Sequence, residues 1–257
     1  MSNNPSHFIW YELITSDMDA AAEFYGAAVG WSAQASGQPG QDYRMWTIGG
    51  ETIGGLMAIP PAAQADGMPP VWLGYVNVLD VDQSVGEIQS AGGSVQMPAW
   101  DVPGVGRMAM VTDPQGAAFY VMTPIGEGPS PSFAPGRLGH GGWNELHTTD
   151  WTTALKFYTG RLGWEASEAV DMGPMRTYQL FNAGGDAIGG MMNSARLGRP
   201  MWLYYFNVDD ITAAVARVKG AGGAVTNEPH QVPTGDWMIQ ARDPQGAMFA
   251  LLAPNKP

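Results

Sequence analysis

Asp113-Pro114-Gln115-Gly116-Ala117 returns without change as Asp243-Pro244-Gln245-Gly246-Ala247, and Trp10-Tyr11-Glu12-Leu13 returns as Trp143-Asn144-Glu145-Leu146. Working outward from these two stretches, Asp17 is matched by Asp150, Phe24-Tyr25 by Phe157-Tyr158 and Gly30-Trp31 by Gly163-Trp164. Ile53-Gly54-Gly55 recurs as Ile188-Gly189-Gly190, and Pro70-x-Trp72-Leu73-x-Tyr75-x-Asn77-Val78 as Pro200-x-Trp202-Leu203-x-Tyr205-x-Asn207-Val208. The offset stays between 130 and 135 throughout. A period this long, kept over so many ordered matches, is a tandem duplication. Its copies are residues 1–125 and 140–257, and the Gly-, Pro- and Ser-containing stretch 126–139 reads as the linker between them.

Within a copy, residues 8–15 are rich in aromatic and β-branched side chains and predict a strand. Asp17 then caps a helix that carries Ala21, Phe24, Tyr25 and Ala28 at helical spacing and stops at Gly30. Short strands follow near 31–36, 43–48 and 52–59. The pattern restarts with a strand at 72–79, a helix from Asp82 to Gly92, and strands near 94–97, 106–112 and 117–122. This is βαβββ twice per copy and four times in the chain, an α+β organisation.

Composition narrows the function. With 12 Lys and Arg against 24 Asp and Glu, the net charge of −12 repels phosphates, so neither nucleic acid nor an anionic membrane is an expected partner. There is no Cys, hence no disulfide, no Cys-ligated metal and no thiol nucleophile. No run of about 18 apolar residues and no leader-like N-terminus occurs, and a cytoplasmic protein is expected. The Gly pairs open no helix and precede no Lys-Ser or Lys-Thr, which argues against a nucleotide site. A small-molecule ligand is the expected partner, and a homodimer is compatible with the sequence.

The ordered set of first strand, capping Asp, Phe-Tyr, Gly-Trp, Ala-Gly-Gly and closing Asp-Pro-Gln-Gly-Ala resembles the vicinal oxygen chelate superfamily, which includes glyoxalase I, bleomycin-resistance proteins and extradiol dioxygenases. The resemblance implies two curved eight-stranded mixed sheets, each a cleft with helices on the convex side. The family's metal-ligand positions fall here on Trp10, Leu73 and Tyr120 in the first copy and on Trp143, Leu203 and Ala250 in the second. None of these is an ordinary ligand for a divalent cation. No metal and no other cofactor is therefore expected.

Side chains two apart on a strand share a face. Trp10 and Glu12 then lie together, as do Trp143, Glu145 and His147, with Ile14 standing in the first copy where His147 stands in the second. Glu145 and His147 form the one conventional acid/base pair, set against the plainer reading of a buried structural Glu and a packed His. Trp10, Glu12, Tyr75, Asn77, Arg107, Tyr120, Trp143, Tyr205 and Asn207 are the candidate substrate-binding residues, Arg107 as an anion anchor. Trp31 and Trp164 read as core, and His140 and His230 as exposed loop residues. Two functions stay open. One is metal-independent binding or sequestration of a small apolar or aromatic molecule. The other is an enzyme of the same superfamily, a lyase, isomerase or dioxygenase-like protein, using the Glu/His pair or displaced metal ligands.

Overall fold

Sixteen strands are hydrogen-bonded into two eight-stranded sheets in a computed structural model that describes residues 6–37, 42–126, 128–194, 198–232 and 235–254. In the first repeat the elements are β1 (Phe8–Thr15), α1 (Met18–Val29), β2 (Ser32–Ala35), β3 (Tyr43–Ile48), β4 (Glu51–Ala58), a short α2 (Pro61–Ala65), β5 (Val71–Asn77), α3 (Val81–Ser90), β6 (Ser94–Val102), β7 (Gly106–Thr112) and β8 (Ala118–Pro124). In the second they are β9 (Gly141–Thr148), α4 (Trp151–Leu162), β10 (Glu165–Asp171), β11 (Thr177–Ala183), β12 (Asp186–Asn193), β13 (Met201–Asn207), α5 (Ile211–Gly220), β14 (Ala224–Gln231), β15 (Trp237–Arg242) and β16 (Met248–Ala253). The strand orders are β2-β3-β4-β1-β5-β8-β7-β6 and β10-β11-β12-β9-β13-β16-β15-β14, the same order twice. Both sheets are mixed: β1 with β4, β5 with β8, β12 with β9 and β13 with β16 are parallel, and the hairpins are antiparallel.

The predicted helix starts hold for a stated reason. Asp17 and Asp150 are extended residues whose side chains accept from the next free backbone N–H groups, and Asp80 and Asp210 do the same for α3 and α5. Gly30 and Gly163 close α1 and α4 in the left-handed region, where a side chain would be strained.

By packing, the chain divides into two compact units. The first comprises Met1–Ile9, Leu73–Ser130 and Trp143–Leu203, and the second Trp10–Trp72, Pro131–Gly142 and Tyr204–Pro257. Each unit thus combines one module from each repeat, and the repeated pentapeptide is the device. In the first unit Asp113 Oδ1 accepts from the backbone N–H groups of Gln115 and Ala117, while Tyr158 of α4 donates its hydroxyl to Asp113 Oδ2 at 3.1 Å and Trp202 Nε1 donates to Tyr158. In the second, Asp243 Oδ1 accepts from Gln245 and Ala247, Tyr25 of α1 donates to Asp243 Oδ2 at 3.2 Å, and Trp72 donates to Tyr25. Burial holds the Asp113 and Asp243 carboxyls above their ordinary range against these donors. Aromatic rings fill the rest of each core. Trp164 stacks on Phe181 and Tyr158, and Trp31 stacks on Tyr25, so both tryptophans are core as expected.

His140 departs from the reading as an exposed loop residue. It is buried, with Nδ1 2.6 Å from the carbonyl of Pro131, because the segment before β9 folds inward. His230 lies half-buried on edge strand β14.

Candidate functional site

The alternation expected along β9 brings Glu145 and His147 together, with His147 Nε2 2.6 Å from Glu145 Oε1. Both are buried, at 6% and 3% exposure. One group not foreseen from the pattern of β9 extends the contact and ties it to Trp143. Tyr178, on β11, donates its hydroxyl to Glu145 Oε2 at 2.9 Å and accepts from Trp143 Nε1 at 2.7 Å. Burial and the Glu145 carboxylate push the Tyr178 phenol well above its ordinary value, so it stays protonated. Among the described residues His147 Nδ1 is buried with no hydrogen-bonding partner, which costs on the order of 1–3 kcal/mol when nothing fills the place.

The second unit carries the first repeat's version of this chain. Trp10 Nε1 donates to Tyr43 Oη at 3.1 Å, and Tyr43 donates to Glu12 Oε2 at 3.2 Å. Ile14 takes the position of His147, so no imidazole follows Glu12 on that strand.

The glycine pairs explain how a tyrosine reaches across the sheet. A Cβ added to Gly190 would fall on the Tyr178 ring, and one added to Gly55 would fall on the Tyr43 hydroxyl. The first glycines of the pairs serve the sheet itself, since a Cβ at Gly54 would lie 2.5 Å from the Tyr11 carbonyl oxygen and one at Gly189 would strike that of Asn144. The signal for Tyr43 and Tyr178 was present in the repeat, at an offset of 135, but it needed the glycines to be read as room for a ring.

The remaining candidates sort by what they touch. Tyr75 and Tyr120 stack at 4.2 Å between ring centroids, 15° apart, with Trp100 edge-on to Tyr120 at 6.1 Å. Tyr205 accepts a hydrogen bond from Gln240 Nε2 at 3.1 Å, and Ala250 replaces the second tyrosine. Asn77 is buried, its backbone paired with Ser6 and His7. The amide Nδ2 of Asn207 points at the carbonyls of Ala134, Arg137 and His140 and pins the segment that leads into β9. Arg107, expected as an anion anchor, is paired with carboxylates of its own chain. It makes two 2.8 Å bonds to Asp82 and lies 3.2 Å from Asp101, in a surface groove of about 410 Å³ beside exposed Leu79 and Ile125. A guanidinium already held by two carboxylates presents no net positive charge to a ligand.

Among the described residues no group of three or more His, Asp and Glu side chains is placed to hold a metal ion. Leu73, Leu203 and Ala250 are buried hydrocarbon, and the indoles of Trp10 and Trp143 point their N–H groups at tyrosines. These donors do not fit a divalent cation. Among the described residues no helix is long and apolar enough to cross a membrane.

A duplicated βαβββ chain with two mixed eight-stranded sheets, each with a buried glutamate on its first strand held by a tyrosine, defines the class. The chain belongs to the glyoxalase/bleomycin resistance protein/dioxygenase superfamily, whose family model matches residues 7–121 and 138–251. It is 37% identical over 251 residues to CFP32 of Mycobacterium tuberculosis (strain CDC 1551 / Oshkosh), a provisionally named glyoxylase, with 95% of this chain and 94% of that one covered. It is 32% identical over 257 residues to the anthracycline biosynthesis protein DauV of Streptomyces sp. (strain C5), covering 95% of this chain and 91% of that one. Among solved structures, the Mn(II)-bound glyoxalase of Novosphingobium aromaticivorans matches with a TM-score of 0.68 at 15% identity, over 98% of this chain and 83% of that one. The 2,3-dioxygenase LapB of Pseudomonas sp. KL28 matches with a TM-score of 0.68 at 13% identity, over 98% and 93%. At these identities the two structures share the fold.

Proposed function

We propose that the protein binds a small, largely apolar or aromatic molecule without a metal, and that the polar end of that molecule docks at the Glu145–His147 pair. The observation that carries this reading is the linked polar chain Trp143–Tyr178–Glu145–His147, which runs from half-buried Trp143 on β9 and Tyr178 on β11 to the buried Glu145 and His147 on β9. The names of the relatives agree in kind: a glyoxylase name and an anthracycline-biosynthesis name both refer to small organic molecules.

Calorimetric titration with 2-naphthol tests it. Saturable binding is expected, unchanged by a chelator, and weakened roughly 10- to 100-fold by Glu145→Gln, the worth of a hydrogen bond to a charged group. Binding that requires an added divalent metal, or that ignores Glu145, would overturn the proposal.

A second reading, turnover by acid/base chemistry, is favoured by the 2.6 Å contact within the Glu145–His147 pair. Under it, His147→Ile, which restores the first repeat's residue, lowers turnover by about 10²- to 10⁴-fold and leaves binding within a few-fold. A pure binding protein has no turnover to lose, and the same change shows there as weaker binding.

A further inference from the structure

An indole N–H can only donate a hydrogen bond. Trp143 therefore supplies the proton in its contact with Tyr178, and Tyr178 passes its own hydroxyl proton on to Glu145 Oε2. The first repeat shows that this direction does not depend on histidine, since Trp10, Tyr43 and Glu12 form the same sequence of contacts next to Ile14. With Glu145 ionised both of its oxygens are acceptors, and the hydrogen in the 2.6 Å contact is then the one on His147 Nε2. With that hydrogen on Nε2 the lone pair of the ring lies at Nδ1, the atom that is buried without a hydrogen-bonding partner among the described residues.

We infer that His147 Nδ1 is the proton-accepting atom of this site, that Glu145, Tyr178 and Trp143 are positioning residues that fix its tautomer, and that the ligand it serves carries a hydroxyl or N–H donor. The inference rests on the acid/base reading above and adds a direction to it. In the transfer itself, the ligand's O–H bond breaks, an Nδ1–H bond forms, and the electron pair stays on the ligand oxygen. The imidazolium so formed lies against the Glu145 carboxylate, which offsets its charge. A ligand offering only a carbonyl or ether oxygen would set one lone pair against another and be excluded.

Nitrogen-15 spectra of the full-length chain labelled at histidine read the tautomer directly. Four histidines are present, and His147 is assigned by the signals lost in His147→Ile. The expected result is a single Nε2–H tautomer in the unaltered protein, and growth of the Nδ1–H form in Tyr178→Phe, where the phenol proton is gone. The signals of the other three histidines report that the variant is folded, and Trp143→Phe provides the same comparison if Tyr178→Phe does not fold. A purely structural tyrosine would leave the tautomer unmoved.

Phenol and anisole, which differ by the hydroxyl proton, test the ligand class: phenol is expected to shift the His147 ring signals and anisole to leave them. An Nδ1–H tautomer in the unaltered protein, or equal shifts from both probes, would overturn the inference. Absence of binding by either probe would count against the small-molecule reading of the preceding section, and the tautomer would still decide this one.

Discussion

The first strands of the two repeats hold nearly the same polar chain and end it differently. On β1 the contacts run from Trp10 through Tyr43 to Glu12, with Ile14 next on that face, whereas on β9 they run from Trp143 through Tyr178 to Glu145 and continue to His147. The shared part is therefore scaffold, since it persists where no imidazole follows. A single exchange of Ile for His adds a titratable end to it. The strands that pair β5 with β8 and β13 with β16 diverge in the opposite sense. Tyr75 stacks on Tyr120 in the first repeat, while Tyr205 meets Gln240 and Ala250 in the second. One repeat has thus become more aromatic where the other has become more polar.

The comparison is most sharply tested at the glycines. Gly54→Ala and Gly189→Ala each drive a Cβ into a strand carbonyl that cannot move aside, and each is expected to cost about 3 kcal/mol in urea unfolding, at the upper end for overpacking. Equal costs would show that the scaffold is one design used twice, and a neutral result at either would break that equivalence.

A smaller effect is expected at the pentapeptides. Because burial raises the folded-state value of Asp113 and Asp243, the native chain keeps protons that the unfolded chain releases near pH 3.9. Their contribution is favourable below that value and is lost as pH rises to the folded-state value. Asp113→Asn or Asp243→Asn should each remove part of this fall, and the double substitution all of it, when urea midpoints are followed with pH. A slope untouched by both changes would show that the two clasps are not the titrating groups.

The smallest effect is expected at Arg107, whose counterpart is Trp237. It is paired at the surface, so Arg107→Ala should leave both the urea midpoint and the naphthol affinity nearly unchanged. A loss of affinity would return Arg107 to the binding residues.

Much of this was legible in the residues. The period of two along a strand placed Glu145 beside His147, and the repeat with its capping aspartates placed α1, α3, α4 and α5. What escaped depends on partners distant in sequence. Arg107 reads as a free cation until α3 brings Asp82 to it, and Asn207 reads as ligand-facing until the segment around Ala134 and His140 folds under its amide. The pentapeptide identifies a turn, but not that its aspartate serves a tyrosine of the other repeat.

That exchange also sets an order of assembly. The Tyr158–Asp113 contact spans 45 residues and the Tyr25–Asp243 contact spans 218. By loop-closure entropy, (3/2)RT ln(218/45), the second is harder to close by about 1.4 kcal/mol in a flexible chain. During vectorial synthesis the first unit has both halves of its clasp once Tyr158 leaves the ribosome. Tyr25 and the helix that carries it must wait, with their aromatic face uncovered, until Asp243 has been made.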